Sequence, residues 1–167
     1  MTFLAHNKPQ NSHQTLGEFQ SVNSINTNQR IPCSQITHTG LTVNSNGQLV
    51  LQSGYTHILT GSPYFEATRN TGNYTIVSRW YDVTNSQYIG VGFRVGLDNS
   101  LNQNLKRGSA ARCLLVPTSN TTIEMRIVNI TFGSGVVNAN NYTISMNHHS
   151  SNYPKAYGSG WYSVISF

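Results

Sequence analysis

The chain has 167 residues and a formal net charge of +5, yet only 9% of its residues are charged, far below the roughly 25% usual in soluble proteins. Its length predicts one domain with a sizeable core. No apolar run approaches the ~20 residues that a membrane-spanning helix needs. The basic residues are scattered along the sequence, so we expect neither a nucleic-acid-binding stripe nor a membrane partner.

The first thirty residues are polar and rich in Asn and Gln, with four isolated large apolar residues. Such a segment cannot bury enough apolar surface to fold by itself. We therefore predict an extended arm over residues 1–30, anchored on a neighbouring protein by Phe3, Leu4, Leu16 and Phe19. The opening MTFLAHNKPQ does not have the pattern of a signal peptide. Together with the uncharged surface, this suggests assembly inside a cell and release by lysis, as for a virion component.

Residues 31–167 are predicted to form one domain of short strands. Gly, Pro and Asn turns separate runs of alternating apolar and polar residues, and no stretch of ~12 residues has a helical period. This pattern is typical of an antiparallel β-sandwich or jelly roll. The predicted strands are QLVLQ (48–52), YTHIL (55–59), YTIVSRWY (74–81), YIGVGFRV (88–95), AARCLLV (110–116), IEMRIVNI (123–130), YTISM (142–146) and GWYSVISF (160–167).

The stretch SRWYDVTNSQYIGVG (78–92) raises the question of a reactive site. Asp and Asn side chains hydrogen-bond to their own backbone in tight turns. The aromatic residues before them and the apolar residues after them supply cross-strand partners. We therefore predict that Asp82 to Asn85 turn a corner between two strands of a hairpin.

The sequence predicts no catalytic residues, no cofactor and no metal. It has only five acidic residues, and Glu124 is expected to be a surface charge on an outward strand position beside Arg126. No nucleophile motif, phosphate loop or zinc spacing is present. The adjacent His148 and His149 fall in a polar stretch, where we expect a solvated loop. Cys33 and Cys113 are interpreted as partly buried free thiols.

The order of predicted strands resembles the jelly roll of the C1q and tumour necrosis factor families. The stretch GSAARCLLVPTSNTTIEMRIV (108–128) is similar to a family pattern in which a small-residue strand leads through a short turn to an alternating strand. Here Pro117 to Asn120 replace the family's Gly-Asp turn. Gly54-Tyr55 and the apolar C-terminal strand are further similarities. The hairpin WYDVTNSQYIG resembles one of jelly-roll phage virion proteins, including head cement proteins and fibre tips.

This resemblance implies a homotrimer in which one sheet of each subunit packs around a three-fold axis. Small side chains near the axis would allow close backbone approach, and aromatic residues suit broad subunit contacts. The interface residues that we expect are Ala110, Ala111, Trp161 and Tyr162.

Two function classes follow from these expectations. The first is a trimeric cement, or decoration, protein on the outer surface of a tailed-phage capsid, whose arms contact the major capsid protein. The second is the receptor-binding tip of a tail fibre, which recognises a host glycan or protein. The absence of a repetitive shaft favours the first. A C1q-like ligand-binding module of a cell is a third alternative, against which the missing signal peptide counts.

Overall fold

The structure is a computed structural model that describes residues 12–22, 24–34, 37–38, 41–68, 73–98, 110–132, 143–146 and 160–167. These residues form strands and no helix, so none of their segments is a helix that could cross a membrane. The strands are β1 (His13–Glu18), β2 (Arg30–Ile31), β3 (Thr37–His38), β4 (Leu41–Val43), β5 (Leu49–Leu51), β6 (His57–Pro63), β7 (Glu66–Thr68), β8 (Asn73–Asp82), β9 (Gln87–Asp98), β10 (Ala111–Leu115), β11 (Thr121–Phe132), β12 (Thr143–Ser145) and β13 (Gly160–Ser166).

Eleven of these strands form one continuous antiparallel sheet with two halves. The front sheet has the order β1-β13-β6-β10, and the back sheet has the order β9-β8-β11-β5-β4-β3 with β2 also on β11. The halves join where Arg112 of β10 pairs with Val91 of β9. Several neighbouring strands are distant in sequence, such as β1 and β13, β13 and β6, and β8 and β11, as expected for a jelly roll. The predicted all-β antiparallel jelly-roll fold is confirmed. Strands β7 and β12 form a separate pair.

The core lies between the front and back sheets. The Phe19 ring lies 5.5 Å from Tyr162 of the front sheet and 6.4 Å from Trp80 of the back sheet, measured between centroids. Gly61 permits this close packing, because an added Cβ there would lie 2.7 Å from Met125 Cε and 2.9 Å from Trp80 Cζ2. The absence of a side chain at residue 61 therefore lets the largest core side chains fill the space between the sheets.

The hairpin predicted around residues 78–92 is confirmed. Strands β8 and β9 pair from Asn73–Asp98 to Asp82–Gln87. The Asp82 carboxylate accepts hydrogen bonds from the Asn85 backbone N–H at 2.9 Å and from Asn85 Nδ2 at 2.8 Å. These side chains hold the turn, as their residue types predict.

The N-terminal segment differs from the predicted arm. Strand β1 pairs with β13 along its whole length, while Phe19 bridges to Cys33 and is 3% exposed. Ile25 is also buried in the core. Residues 13–22 and 24–30 are thus part of the jelly roll, because β13 supplies backbone partners and the space between the two sheets accommodates these few large side chains. Phe3 and Leu4 lie outside the described residues.

Candidate functional site

The outward face of the front sheet carries the exposed apolar side chains. Alternation along β6 and β13 points Leu59, Tyr162 and Val164 into the core and turns Ile58 and Trp161 outward. All the exposed large hydrophobic side chains of the described residues lie on this sheet, at its junction with β9, or directly after one of its strands: Leu16, Ile58, Val91, Leu114, Val116, Trp161 and Phe167. A concentration of exposed apolar side chains on one face is typical of an interaction surface.

Cross-strand pairing places some of these side chains next to one another. Leu114 lies opposite Ile58, and Ile58 lies opposite Ile165. Neighbouring strands are ~4.8 Å apart, so this apolar row is about 10 Å wide. In a neighbouring row, the small polar residues Thr60 and Ser163 lie opposite each other. Leu16, which is 69% exposed, lies opposite Ser163 in the same row. We call this surface the front face.

The front face carries one charge of each sign, on the two outermost of its four strands. Glu18 is an exposed residue at the end of β1, the edge strand. Arg112 is an exposed residue on β10, at the other side of the front sheet. Neither forms an ion pair with another described residue. A face with this arrangement is complementary in charge to a second copy of itself that approaches with its edges reversed.

The structure places the predicted interface residues in two different environments. Trp161 is 48% exposed on the front face, and Ala110, directly before β10, is partly exposed. Ala111 and Tyr162 are fully buried in the chain's own core instead. The Tyr162 hydroxyl donates a hydrogen bond to the Ser34 carbonyl at 3.1 Å, and burial raises the pKa of Tyr162. The expected contacts of Ala111 and Tyr162 across an interface are therefore replaced by contacts within the monomer.

The predicted arm anchors are likewise separated by the strand alternation. Leu16 points outward and belongs to the front face, whereas Phe19 is part of the core. The sequence did not indicate this, because the segment around them is polar and its alternation is too short to detect. Their different environments follow from the pairing of β1 with a distant strand, β13.

The outward face of the back sheet is polar and contains a cluster that the sequence analysis missed. Arg30, Arg126 and Arg79 lie opposite one another on β2, β11 and β8. The three arginines are far apart in the sequence, so the distribution of charge along the chain did not indicate that they form a cluster. The guanidinium of Arg126 lies 3.5 Å from the centroid of the Tyr81 ring. The sequence signal that could have revealed part of the cluster is the strand alternation at 79–81 and 124–126, which puts Arg79 and Arg126 on outward positions of their strands.

Glu124 is on this polar face but is not the exposed charge that we predicted. Its side chain is 2% exposed and pairs with Arg126 Nε. Its Oε2 also accepts a hydrogen bond from Gln48 Nε2 at 2.6 Å. The Arg126 and Gln48 side chains contact and cover the carboxylate, which explains why an outward position is buried.

A buried histidine links two strands of the front sheet. His57 Nδ1 lies 2.8 Å from Ser166 Oγ, and His57 Nε2 lies 3.0 Å from the Gln52 carbonyl oxygen. The carbonyl can only accept, so Nε2 carries the proton and Nδ1 accepts from Ser166. Burial lowers the pKa of His57, against the effect of its bond to Gln52. A serine and a histidine within hydrogen-bond reach resemble part of a nucleophilic site, but both are buried and serve as a cross-strand link.

The two cysteines are buried free thiols in this structure. Burial raises the pKa of Cys33, and the nearby Glu124 carboxylate raises it further. Among the residues that the structure describes, no three His, Cys, Asp or Glu side chains are grouped to hold a metal ion. His148 and His149 lie outside those residues.

The front face, with its exposed apolar rows and opposed charges, is thus the strongest candidate site on the chain. No protein-family model matches the chain, and no curated protein matches it significantly.

Proposed function

We propose that the chain is the subunit of a homotrimeric structural protein that assembles through the front face, and that this trimer is a phage head cement protein. The observation that carries the proposal is the confinement of all exposed large hydrophobic side chains, among the described residues, to this face and its margins. Removing apolar surface from water favours association by about 25 cal/mol per Å². The occupant that we propose is a second copy of the chain.

The charges on the face support a second copy as the occupant. Glu18 on β1 and Arg112 on β10 lie on opposite sides of the front face, so that the Arg112 of a second copy can lie against Glu18 of the first. In a closed ring, each subunit then offers its Glu18 to one neighbour and its Arg112 to the other. The two charges suit a two-fold pair as well as a ring. The proposal of three subunits therefore rests on the family resemblance.

Charge reversal tests this contact. We expect Glu18→Arg and Arg112→Glu each to weaken assembly, since each places like charges against each other across the contact. The double variant restores the attraction and is expected to assemble again. Sedimentation velocity of the three variants measures the mass of the assembled species. Equal assembly of all three would contradict the proposed pairing, and a mass of two chains would contradict the trimer.

The cement role rests on the resemblance and on the weakly charged composition. The proposed mechanism is mechanical: each trimer sits where capsid subunits meet and holds several of them at once, so weak contacts reinforce one another. Residues 13–22 and 24–30 are folded into the jelly roll, which leaves Phe3 and Leu4 as the proposed capsid contacts.

Co-sedimentation with empty phage capsids tests the cement role. We expect the full chain to pellet with capsids and the Phe3→Ser, Leu4→Ser double variant to remain in solution while still forming trimers. The matched control is Thr2→Ser, which leaves the apolar residues intact. A full chain that forms trimers but binds no capsid would contradict the cement role and leave the assembly proposal standing.

A receptor-binding fibre tip is the second candidate, favoured by the arginine and tyrosine side chains on the back sheet. Polar and aromatic side chains on a rigid sheet suit the recognition of a host glycan. Binding of fluorescently labelled trimer to host cells, without binding to capsids, would select this function.

A further inference from the structure

The back sheet carries a row of three arginines that crosses three neighbouring strands. Arg30 of β2 is directly opposite Arg126 of β11, and Arg126 is directly opposite Arg79 of β8. Side chains that face each other in this way have Cβ atoms about 5 Å apart. All three side chains are partly exposed on the outward face of the sheet. We call these residues the arginine row.

The arginine row has more positive charge than its surroundings neutralise. Glu124 is the carboxylate that pairs with the row, and it binds Arg126. Arg79 Nε donates to the Ile89 carbonyl at 3.3 Å, which places the side chain without cancelling its charge. Like charges on opposed strand positions destabilise a sheet. Among the described residues, the guanidinium groups of Arg30 and Arg79 have no carboxylate partner, and the two arginines flank Arg126 on the outward face of the sheet. This arrangement favours an anion from outside the chain.

Aromatic and neutral polar groups border the arginine row. The Tyr81 and Tyr88 rings are in edge-to-face contact at 5.0 Å between centroids, and both residues are partly exposed. The Tyr88 hydroxyl donates to Asn28 Oδ1 at 3.4 Å. Ring faces can pack against the apolar side of a sugar, while amides and hydroxyls bind its hydroxyl groups.

The size of the arginine row favours a saccharide over a nucleic acid as its ligand. Three neighbouring strands span about 10 Å between the outermost strands, which suits one or two anionic groups. Nucleic-acid binding typically uses about six to ten phosphate contacts along a longer stripe. We propose that the arginine row binds an acidic oligosaccharide, whose carboxylate or sulfate groups are held by Arg30 and Arg79. This proposal does not depend on the assembly of the chain or on its attachment to a capsid.

Calorimetric titration of the full chain with saccharides of known charge tests the proposal. The probes are a heparin hexasaccharide, an oligogalacturonate of the same length, and neutral cellohexaose. We expect at least one acidic probe to bind and the neutral one not to bind. The Arg30→Gln, Arg79→Gln double variant should bind at least about tenfold more weakly, because charge-assisted hydrogen bonds are lost. The single Arg30→Gln variant should lie between the two.

A matched control distinguishes the arginine row from net charge. Lys106→Gln, Arg107→Gln also removes two positive charges, and it should bind as the unchanged chain does. Equal weakening of both double variants would overturn the proposal, as would the absence of binding to both acidic probes. A near-ultraviolet circular dichroism spectrum establishes that each variant is folded. If the Arg79 change disturbs the fold, the Arg30→Gln variant alone decides the outcome.

A last comparison tests whether the arginine row prefers an acidic saccharide to an acidic peptide or a nucleic acid. An oligoglutamate and an oligothymidylate of the same charge as the saccharide are titrated under the same salt conditions. We expect both to bind more weakly than the preferred acidic saccharide. Equal or tighter binding of either one would overturn the assignment to a saccharide and indicate a peptide or nucleic-acid partner instead.

Discussion

Leu16 and Phe19 are three residues apart, yet Leu16 is 69% exposed and Phe19 is 3% exposed. Replacing Phe19 with Ala should lower the free energy of unfolding by about 3–5 kcal/mol, since it removes a large core side chain. Leu16→Ala should change it by less than about 0.5 kcal/mol in the monomer. Urea denaturation at low protein concentration measures both values. Equal effects would contradict the placement of Phe19 in the core.

Gly90 is located where β9 passes from the back sheet to β10, and its φ is 66°. An added Cβ would overlap the Arg112 carbonyl oxygen and lie 2.7 Å from Cys113 Cβ. We expect Gly90→Ala to destabilise the fold by more than about 3 kcal/mol, from backbone strain and overpacking together.

Gly54→Ala is the matched control for this change. Its φ is 87°, and no atom lies within 4 Å of the added Cβ. Only backbone strain remains, which costs about 1–2 kcal/mol. Thermal unfolding of the two variants should rank them in this order; the reverse order would contradict the close contact at Gly90.

The buried His57 should make stability depend on pH. Burial lowers its pKa in the folded state below the ordinary value of 6.5. Above pH 6.5 the imidazole is neutral in both states. As the pH falls through 6.5, the unfolded chain binds a proton that the fold does not, so stability decreases until the pH reaches the folded pKa.

Urea denaturation at pH 7.5 and 5.5 measures this effect at a fixed protein concentration. His57→Gln should show a smaller loss between the two pH values, since glutamine does not titrate. A loss of the same size in this variant would show that other groups cause it.

The two thiols should be protected from modification in the folded chain. Cys33 and Cys113 are both buried, and burial raises the pKa of each. Thiolate is the reactive form, so both effects slow the reaction. A disulfide exchange reagent at neutral pH should label them slowly in the native protein and completely in denaturant. Rapid labelling of Cys33 in the native protein would contradict its position in the core.

The sequence predicted the parts of the fold that depend on local patterns. Alternation predicted a strand over residues 74–81, and the structure buries its alternate residues Ile76, Ser78 and Trp80. The Asp82 turn was predictable because its hydrogen bonds join residues three apart. The role of β1 could not be predicted in this way, since its hydrogen bonds are with β13, which is far along the chain.

The candidate site was predicted only in part for the same reason. Both Trp161 and Tyr162 are expected from the sequence to lie in the subunit interface, but adjacent residues of a strand point to opposite faces, so Trp161 is exposed and Tyr162 is in the core. The front face and the arginine row each combine residues from strands that are distant in sequence. Only the register of those strands reveals which side chains are neighbours.

The native mass of the chain in solution tests the central claim most directly. Size-exclusion chromatography with light scattering should give three times the mass of one chain for the unchanged protein. Leu114→Lys should reduce it to the mass of one chain, because it places a charge in the front face. Thr122→Lys, an outward change on the back sheet, should leave the trimer intact. A monomer at every concentration tested, or a trimer that Leu114→Lys does not disturb, would contradict assembly through the front face.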